Sequence, residues 1–311
     1  MRTIIFCCLV FAFLCCEKNP AGNDYLGGQD EERILFIRGV KGSYTQICTM
    51  KPDGSDVKVI KENGSDSGLN DFIISARWSP DKSKIVILGG PESTSDVFAL
   101  WLMDMKGNYV KKLSDGGYNP IWKNNHEIIY EKGNFYGGNF QVTLINLEEE
   151  TEQLLSQCDS LHLFFSDINK ARNAALGYYR GVECNSNELL LGYYEIEDIK
   201  NFMIINSSQV YLPINARLSC NDVKIAFIQG LYRQNDIFVL NRTDSTINNV
   251  TNSTANYSNM AWSPNSDELG FSQEIHDGLK DIIIVDTADN TKINITNTAM
   301  DSITNTIQDW R

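Results

Sequence analysis

From residue 34 onward the chain is a succession of short apolar runs. Each is bounded by Gly, Pro, Asn, Asp or Ser, and runs of this length and spacing predict strands rather than helices. In the clearest stretch Trp78-Ser79-Pro80-Asp81 precedes Lys84-Ile85-Val86-Ile87-Leu88, and the order returns as Trp262-Ser263-Pro264-Asn265 before Glu268-Leu269-Gly270-Phe271. Weaker copies lie between them. Trp122-Lys123-Asn124 leads into Glu127-Ile128-Ile129-Tyr130, Phe165-Ser166-Asp167 into residues 174–178, and Leu218-Ser219-Cys220-Asn221 into Lys224-Ile225-Ala226-Phe227. Trp310 supplies the sixth anchor. The anchors recur at intervals of about 45 residues, the period of a four-stranded propeller blade.

Each unit continues with an apolar strand ending in Asp or Asn, a polar turn and a short outer strand. The apolar strand is expected at residues 46–50, 100–104, 142–146, 202–206, 236–241 and 282–286. The outer strand is expected at 57–60, 109–113, 153–155, 210–212, 248–251 and 293–296. A tryptophan on the innermost strand fills the wedge between neighbouring blades, and Ser-Pro-Asp then makes a tight turn in which Pro fixes φ. The fourth unit is irregular, with two candidate second strands at 174–179 and 189–194. The stretch between them is either an inserted loop that makes a binding edge or a drifted hairpin.

The repeat resembles that of TolB-like (PD40-type) propellers: W-S-P-D-G, then I-x-F, then an apolar strand ending in Asp, then L-T. The resemblance runs from Ile34 to Arg311 and implies an all-β, six-bladed β-propeller that acts as a binding platform. The glycine after the Asp is absent, replaced by Lys82 and Ser266. The body opens on a second-position strand, Ile34-Leu35-Phe36-Ile37, and closes on a first-position strand ending at Trp310. Pairing the C-terminal strand with the N-terminal blade shuts the ring and leaves no open edge there.

Ahead of this body, Arg2 precedes an uncharged apolar run, residues 4–14, too short to cross a bilayer, and Cys15-Cys16 follows. The pattern resembles a lipoprotein signal. It implies a signal peptide over 1–15, a lipidated Cys16 (with Cys15 the alternative), and a Gly- and acid-rich tether over 16–33 leading to the propeller, 34–311. The net charge of −13 argues against nucleic acid as a partner. An exported chain permits disulfides, and Cys158 with Cys184 is the candidate pair among Cys48, Cys158, Cys184 and Cys220.

Catalytic signatures are sparse. His126, His162 and His276 share no motif, no C-x-x-C or G-x-S-x-G occurs, and Glu148-Glu149-Glu150 reads as a solvated charge run. No metal or other cofactor is expected. The residue before each anchor should line the central channel, giving Arg77, Ile121, Phe164, Arg217, Ala261 and Asp309. Arg77, Arg217 and Asp309 are the candidate ligand contacts, suited to a carboxylate or an acidic segment. Alternatively Arg77 and Asp309 simply pair as a closing salt bridge, which leaves Arg217 the stronger candidate. The expected function is a non-catalytic, membrane-anchored scaffold of the cell envelope that engages a protein or small ligand. The alternative is a six-bladed lactonase- or lyase-like enzyme, or a carbohydrate-binding protein, with a channel calcium ion.

Overall fold

The computed structural model describes residues 31–40, 45–63, 72–90, 98–133, 141–155, 162–180, 190–196, 202–206, 214–231, 234–253 and 255–311. The expected signal segment with Cys16, most of the expected tether, and the candidate pair Cys158 and Cys184 lie outside the described residues. Cys48 is buried and Cys220 half-buried.

The described residues form six antiparallel four-stranded sheets. Blade 1 holds β1 (Ile34–Val40), β2 (Thr45–Met50) and β3 (Lys58–Asn63). Blade 2 is β4 (Phe72–Trp78), β5 (Lys84–Gly90), β6 (Ala99–Asp104) and β7 (Tyr109–Asp115). Blade 3 is β8 (Gly117–Trp122), β9 (Glu127–Lys132), β10 (Gln141–Asn146) and β11 (Thr151–Leu154). Blade 4 is β12 (His162–Ile168), β13 (Ala174–Arg180), β14 (Leu190–Glu195) and β15 (Phe202–Asn206). Blade 5 is β16 (Ile214–Leu218), β17 (Lys224–Leu231), β18 (Gln234–Asn241) and β19 (Ile247–Asn249). Blade 6 is β20 (Tyr257–Trp262), β21 (Glu268–His276), β22 (Leu279–Asp286) and β23 (Lys292–Asn294). The last strand, β24 (Ile303–Trp310), returns to blade 1 as its innermost strand and pairs with β1 from Ile34↔Trp310 to Val40↔Ile303.

The innermost strands touch in a closed cycle, β24–β4–β8–β12–β16–β20–β24, so the ring shuts as the sequence predicted. Backbone bonds fasten the closure, Arg33 N–H to Arg311 O at 2.7 Å and Arg311 N–H to Arg33 O at 2.9 Å. Burial follows position within a blade. The second and third strands are apolar and inaccessible, as in Ile85, Val86 and Ile87, whereas β11 and β23 are exposed along their length.

Each anchor packs into the gap toward the preceding blade. Trp78 lies among Leu35, Ile37 and Ile47 of blade 1, and Trp310 among Ala261, Ile282 and Ile284 of blade 6. Fully burying such a ring stabilises the interface by roughly 3 kcal/mol. The Ser of the anchor turn locks it. Ser79 Oγ accepts from Lys84 N–H at 3.0 Å and donates to Asp81 Oδ1 at 2.6 Å, and Ser263 makes the matching bonds with Glu268 and Asn265. The positions where the resembled repeat has glycine are left-handed: Lys82 has φ 58° and Ser266 φ 67°.

Two expectations for the fourth unit are corrected. Residues 202–206 form the outermost strand β15, because 174–180 and 190–195 are both central strands and pair with each other from Ala174↔Glu195 to Tyr179↔Leu190. The connection between them, 181–189, and the expected outer strand at 210–212 lie outside the described residues. The anchor is Ile168, not Phe165. A bulge at Ser166 shifts the register, so Ile168 pairs with Ala175 as Trp78 pairs with Ile85. Asn169 takes the serine's place, its Oδ1 accepting from Ala174 N–H at 2.9 Å.

Candidate functional site

The anchor turns of blades 2 to 6 gather with Trp310 and Arg311 of blade 1 at one end of the central channel. There they surround a cavity of about 730 Å³, which we call the mouth. Every innermost strand carries a bulge or register shift just before its anchor. In blades 3, 5 and 6 this places Asn119, Asn215 and Asn259 at φ 47°, 54° and 42°, a conformation Asn tolerates better than most residues. At the blade 4 bulge the main-chain carbonyl of Ser166 is reached by side chains from two other blades.

Arg77, Arg217 and Asp309 all line the mouth, together with Ile121 and Ala261. The Phe164 side chain lies outside the described residues, and its expected place in the ring is taken by Asp167, one residue before the true anchor. Read by blade, the ring is Asp309, Arg77, Ile121, Asp167, Arg217 and Ala261. The order acid, arginine, apolar residue therefore occurs twice, and the two halves of the propeller are related by a pseudo-two-fold axis.

The repeated residues make repeated bonds between blades. Asp309 Oδ2 accepts from Trp78 N–H of the next blade at 3.2 Å, and Asp167 Oδ2 accepts from Leu218 N–H of its next blade at 2.9 Å. The indole N–H of Trp122 donates to Arg77 O and that of Trp262 to Arg217 O, both at 3.0 Å. The expected Arg77–Asp309 alternative is replaced by different partners. Arg77 faces Asp167 at 3.9 Å, while Asp309 pairs with Arg311 at 3.2 Å. Arg217 is well engaged, with its guanidinium donating to Met260 O at 3.1 Å and Ser166 O at 2.6 Å. Since Arg77 also donates to Ser166 O, at 3.2 Å, two arginines from opposite blades converge on one carbonyl.

The mouth differs in charge from the molecule around it. Its lining holds five cationic side chains, those of Arg77, Lys170, Arg172, Arg217 and Arg311, against four aspartates, whereas the whole chain carries −13. The aspartates serve main-chain groups. Asp222 accepts from Lys170 N–H of blade 4 at 2.9 Å, and burial raises its pKa above the ordinary carboxylate value against the lowering effect of that bond. Burial also acts on Asp81, but hydrogen bonds from Ser79 and Ser83 outweigh it and hold the carboxyl below its usual range. Turn-to-turn bonds continue around the rim, from Asp81 N–H to Asn125 Oδ1 at 3.0 Å and from Asn221 N–H to Ser266 Oγ at 3.1 Å.

The histidines lie apart. His126 faces Glu148 at 2.9 Å on the surface, His276 contacts Ala299 O at 3.2 Å, and the His162 side chain lies outside the described residues. Among the described residues no group of three or more His, Cys, Asp and Glu is placed to hold a metal ion. One polar device escaped the sequence reading. Asp281 accepts from Asn294 Nδ2, Thr296 Oγ1 and the N–H groups of Thr298 and Ala299 at 2.8–3.1 Å, and Asp236 repeats the arrangement with Asn249 and Thr251. The Asn-x-Thr patterns at 249 and 294 are thus straps that tie an outer strand to its neighbour.

No family model matches the sequence, and no curated protein matches it. Solved structures do share its fold. TolB from Acinetobacter baumannii superposes with a TM-score of 0.69 at 13% identity, over 91% of this chain and 67% of that one. A TolB-type protein from Agrobacterium tumefaciens gives 0.59 at 10% identity, over 90% and 99%. The β-propeller domain of the Trilobed protease from Pyrococcus furiosus, described as having an open velcro topology, gives 0.55 at 14% identity, over 85% and 78%. At these identities the similarity defines a TolB-like six-bladed propeller fold; unlike that protease domain, this ring is closed by β24.

Proposed function

We propose that the chain is a non-catalytic binding platform of the bacterial cell envelope that engages a protein or small ligand at its channel mouth. The observation that carries this reading is the cavity itself. It has the size of a ligand pocket, and its lining is richer in cationic than in acidic groups on an otherwise acidic molecule. Arg77, Arg217 and Asp309 are its candidate contacts, with Lys170 and Arg172 at the rim. An acid–base or calcium site would draw on the mouth aspartates, yet Asp167, Asp222 and Asp309 each accept a main-chain N–H and thereby hold neighbouring blades in register. The TolB-like fold supports an envelope location, whereas the peptidase propellers that share the fold keep an enzymatic assembly as the competing outcome.

Photo-crosslinking in cells tests the proposal. A photoreactive residue at Lys170, on the rim, is compared with one at Val110, on the exposed outer edge of blade 2. A discrete crosslinked species at 170 and not at 110 is expected. The same species at both positions, or none at 170, overturns the reading. A rise in melting temperature on adding calcium would favour the enzyme alternative instead.

A further inference from the structure

The two mouth arginines hold equivalent places, Arg77 in blade 2 and Arg217 in blade 5, but they are used differently. Arg217 ties its blade to both neighbours. Its Nη1 donates to Ser166 O of blade 4 at 2.6 Å and to Ala216 O at 3.1 Å, and its Nε donates to Met260 O of blade 6 at 3.1 Å. Arg77 breaks the two-fold pattern. Among the described residues its guanidinium bonds to neither adjacent blade and reaches across to blade 4, where Nη2 donates to Ser166 O at 3.2 Å. Its Nη1 stands 3.9 Å from Asp167 Oδ1, beyond hydrogen-bond range. Both oxygens of that carboxylate are already taken, Oδ1 by Ile168 N–H and Oδ2 by Leu218 N–H, each at 2.9 Å. A guanidinium carries five N–H donors, and this one, on a side chain 18% exposed in the wall of the mouth, spends a single one on the described residues.

We infer that Arg77 is the ligand hook of the mouth and takes the carboxylate group of an organic acid, whereas Arg217 is a structural tie. The inference rests on the mouth being the binding site and names its ligand class. Half-enclosed donors of this kind call for oxygen acceptors from the channel side. Arg77 and Arg217 bring two positive charges onto one carbonyl, and Asp167, the acid facing Arg77, supplies one negative charge. A singly charged carboxylate balances the remainder, and its two oxygens match the planar guanidinium fork. A phosphate dianion overshoots that balance and meets stronger repulsion from the four aspartates of the lining. Beside Arg77 in the ring stands Ile121, and Pro80 and Trp122 also line the mouth, so apolar surface adjoins the hook for the body of the acid. A free small acid and the C-terminus of a polypeptide both offer this chemistry.

Titration calorimetry on the purified full-length chain is the test. Propionate stands for the free acid, N-acetyl-trialanine for a chain terminus, its C-terminal amide for the uncharged match and inorganic phosphate for the competing anion. At least one of the two carboxylates should bind, and whichever binds more tightly identifies the source. Arg77→Gln should weaken that binding about tenfold or more while melting close to the parent, whereas Arg217→Gln should lower the melting temperature. The inference is overturned by an amide that binds as tightly as its acid, or by phosphate that binds more tightly than both carboxylates. It is equally overturned if neither carboxylate binds at millimolar concentration, or if Arg77→Gln binds as the parent does. Should Arg77→Gln fail to fold, the acid-against-amide comparison on the parent decides the matter. A discrete crosslinked species at Lys170 with no carboxylate binding refutes the ligand class and leaves the platform reading standing, while absence of both removes that reading itself.

Discussion

Removing the Asp167 carboxylate should cost far more than its place on a channel wall suggests. The side chain is 18% exposed, accepts Leu218 N–H at 2.9 Å and faces Arg77 at 3.9 Å. A hydrogen bond to an ionised acceptor contributes about 1.5–3 kcal/mol, and truncation leaves a half-enclosed N–H without its acceptor. The long ion pair, at a site still touched by water, adds at most about 1 kcal/mol. Asp167→Ala should therefore lose about 2–4 kcal/mol, which for a chain of this size lowers the melting temperature by roughly 3–7 °C. Asp167→Asn keeps an oxygen acceptor and should lose less than half of that. Asp309→Ala removes the equivalent bond to Trp78 across the pseudo-two-fold axis, and since Asp167 faces Arg77, the neighbour of Trp78, the double variant reads the coupling between the two sites. The assay is thermal and urea unfolding of the single and double variants. An Asp167→Ala protein melting within about 1 °C of the parent, while Asp309→Ala falls, would refute the alignment of blade 4 on Ile168 and the two-fold reading of the mouth.

The left-handed turn positions should part company. Lys82→Gly relieves positive-φ strain and should gain about 0.5–1 kcal/mol, whereas Ser266→Gly also removes the acceptor for Asn221 N–H and should lose about 1–2 kcal/mol, both read by urea unfolding. Asp281→Ala leaves four donors of a 2%-exposed strap without their acceptor and should cost at least about 3 kcal/mol, with hydrogen exchange of Ile282 and Ile295 rising before that of other blades. Burial raises the folded-state pKa of Asp222, so its contribution to stability is complete at low pH and is lost as pH climbs from the unfolded value through the folded one. Urea midpoints of the parent relative to Asp222→Asn should fall across that rise, and a constant difference would contradict it.

The architecture was legible because its signals are local and repeated. Trp78 and Trp262 with their Ser-Pro turns mark blade boundaries, and a body that opens on Ile34 in a second-strand position can close only if its last strand completes the first blade. Blade 4 was misread because it has neither tryptophan nor proline to set its phase, and the bulge at Ser166 displaces the anchor from Phe165 to Ile168. A count back from Ala174, using the interval that separates Trp78 from Lys84, identifies Ile168 and with it Asp167. The mouth was half legible. Arg77, Arg217 and Asp309 do meet there, but their partners follow from bulges and blade-to-blade contacts. The visible trace of those bulges in sequence is an Asn three places before the anchors Trp122, Leu218 and Trp262.

Closure of the ring underlies the mouth and every blade-to-blade bond around it, and it can be tested covalently. Val40 and Ile303 face each other at the far end of the β1–β24 pair, and directly opposed antiparallel residues lie at about 4.5–5.5 Å between Cα atoms, within disulfide range. Val40→Cys with Ile303→Cys, in a chain with Cys158, Cys184 and Cys220 replaced by Ser, should oxidise within one molecule and raise the melting temperature. Thiols that stay reduced in the folded protein, or that join only between molecules, would place the two ends of the propeller apart.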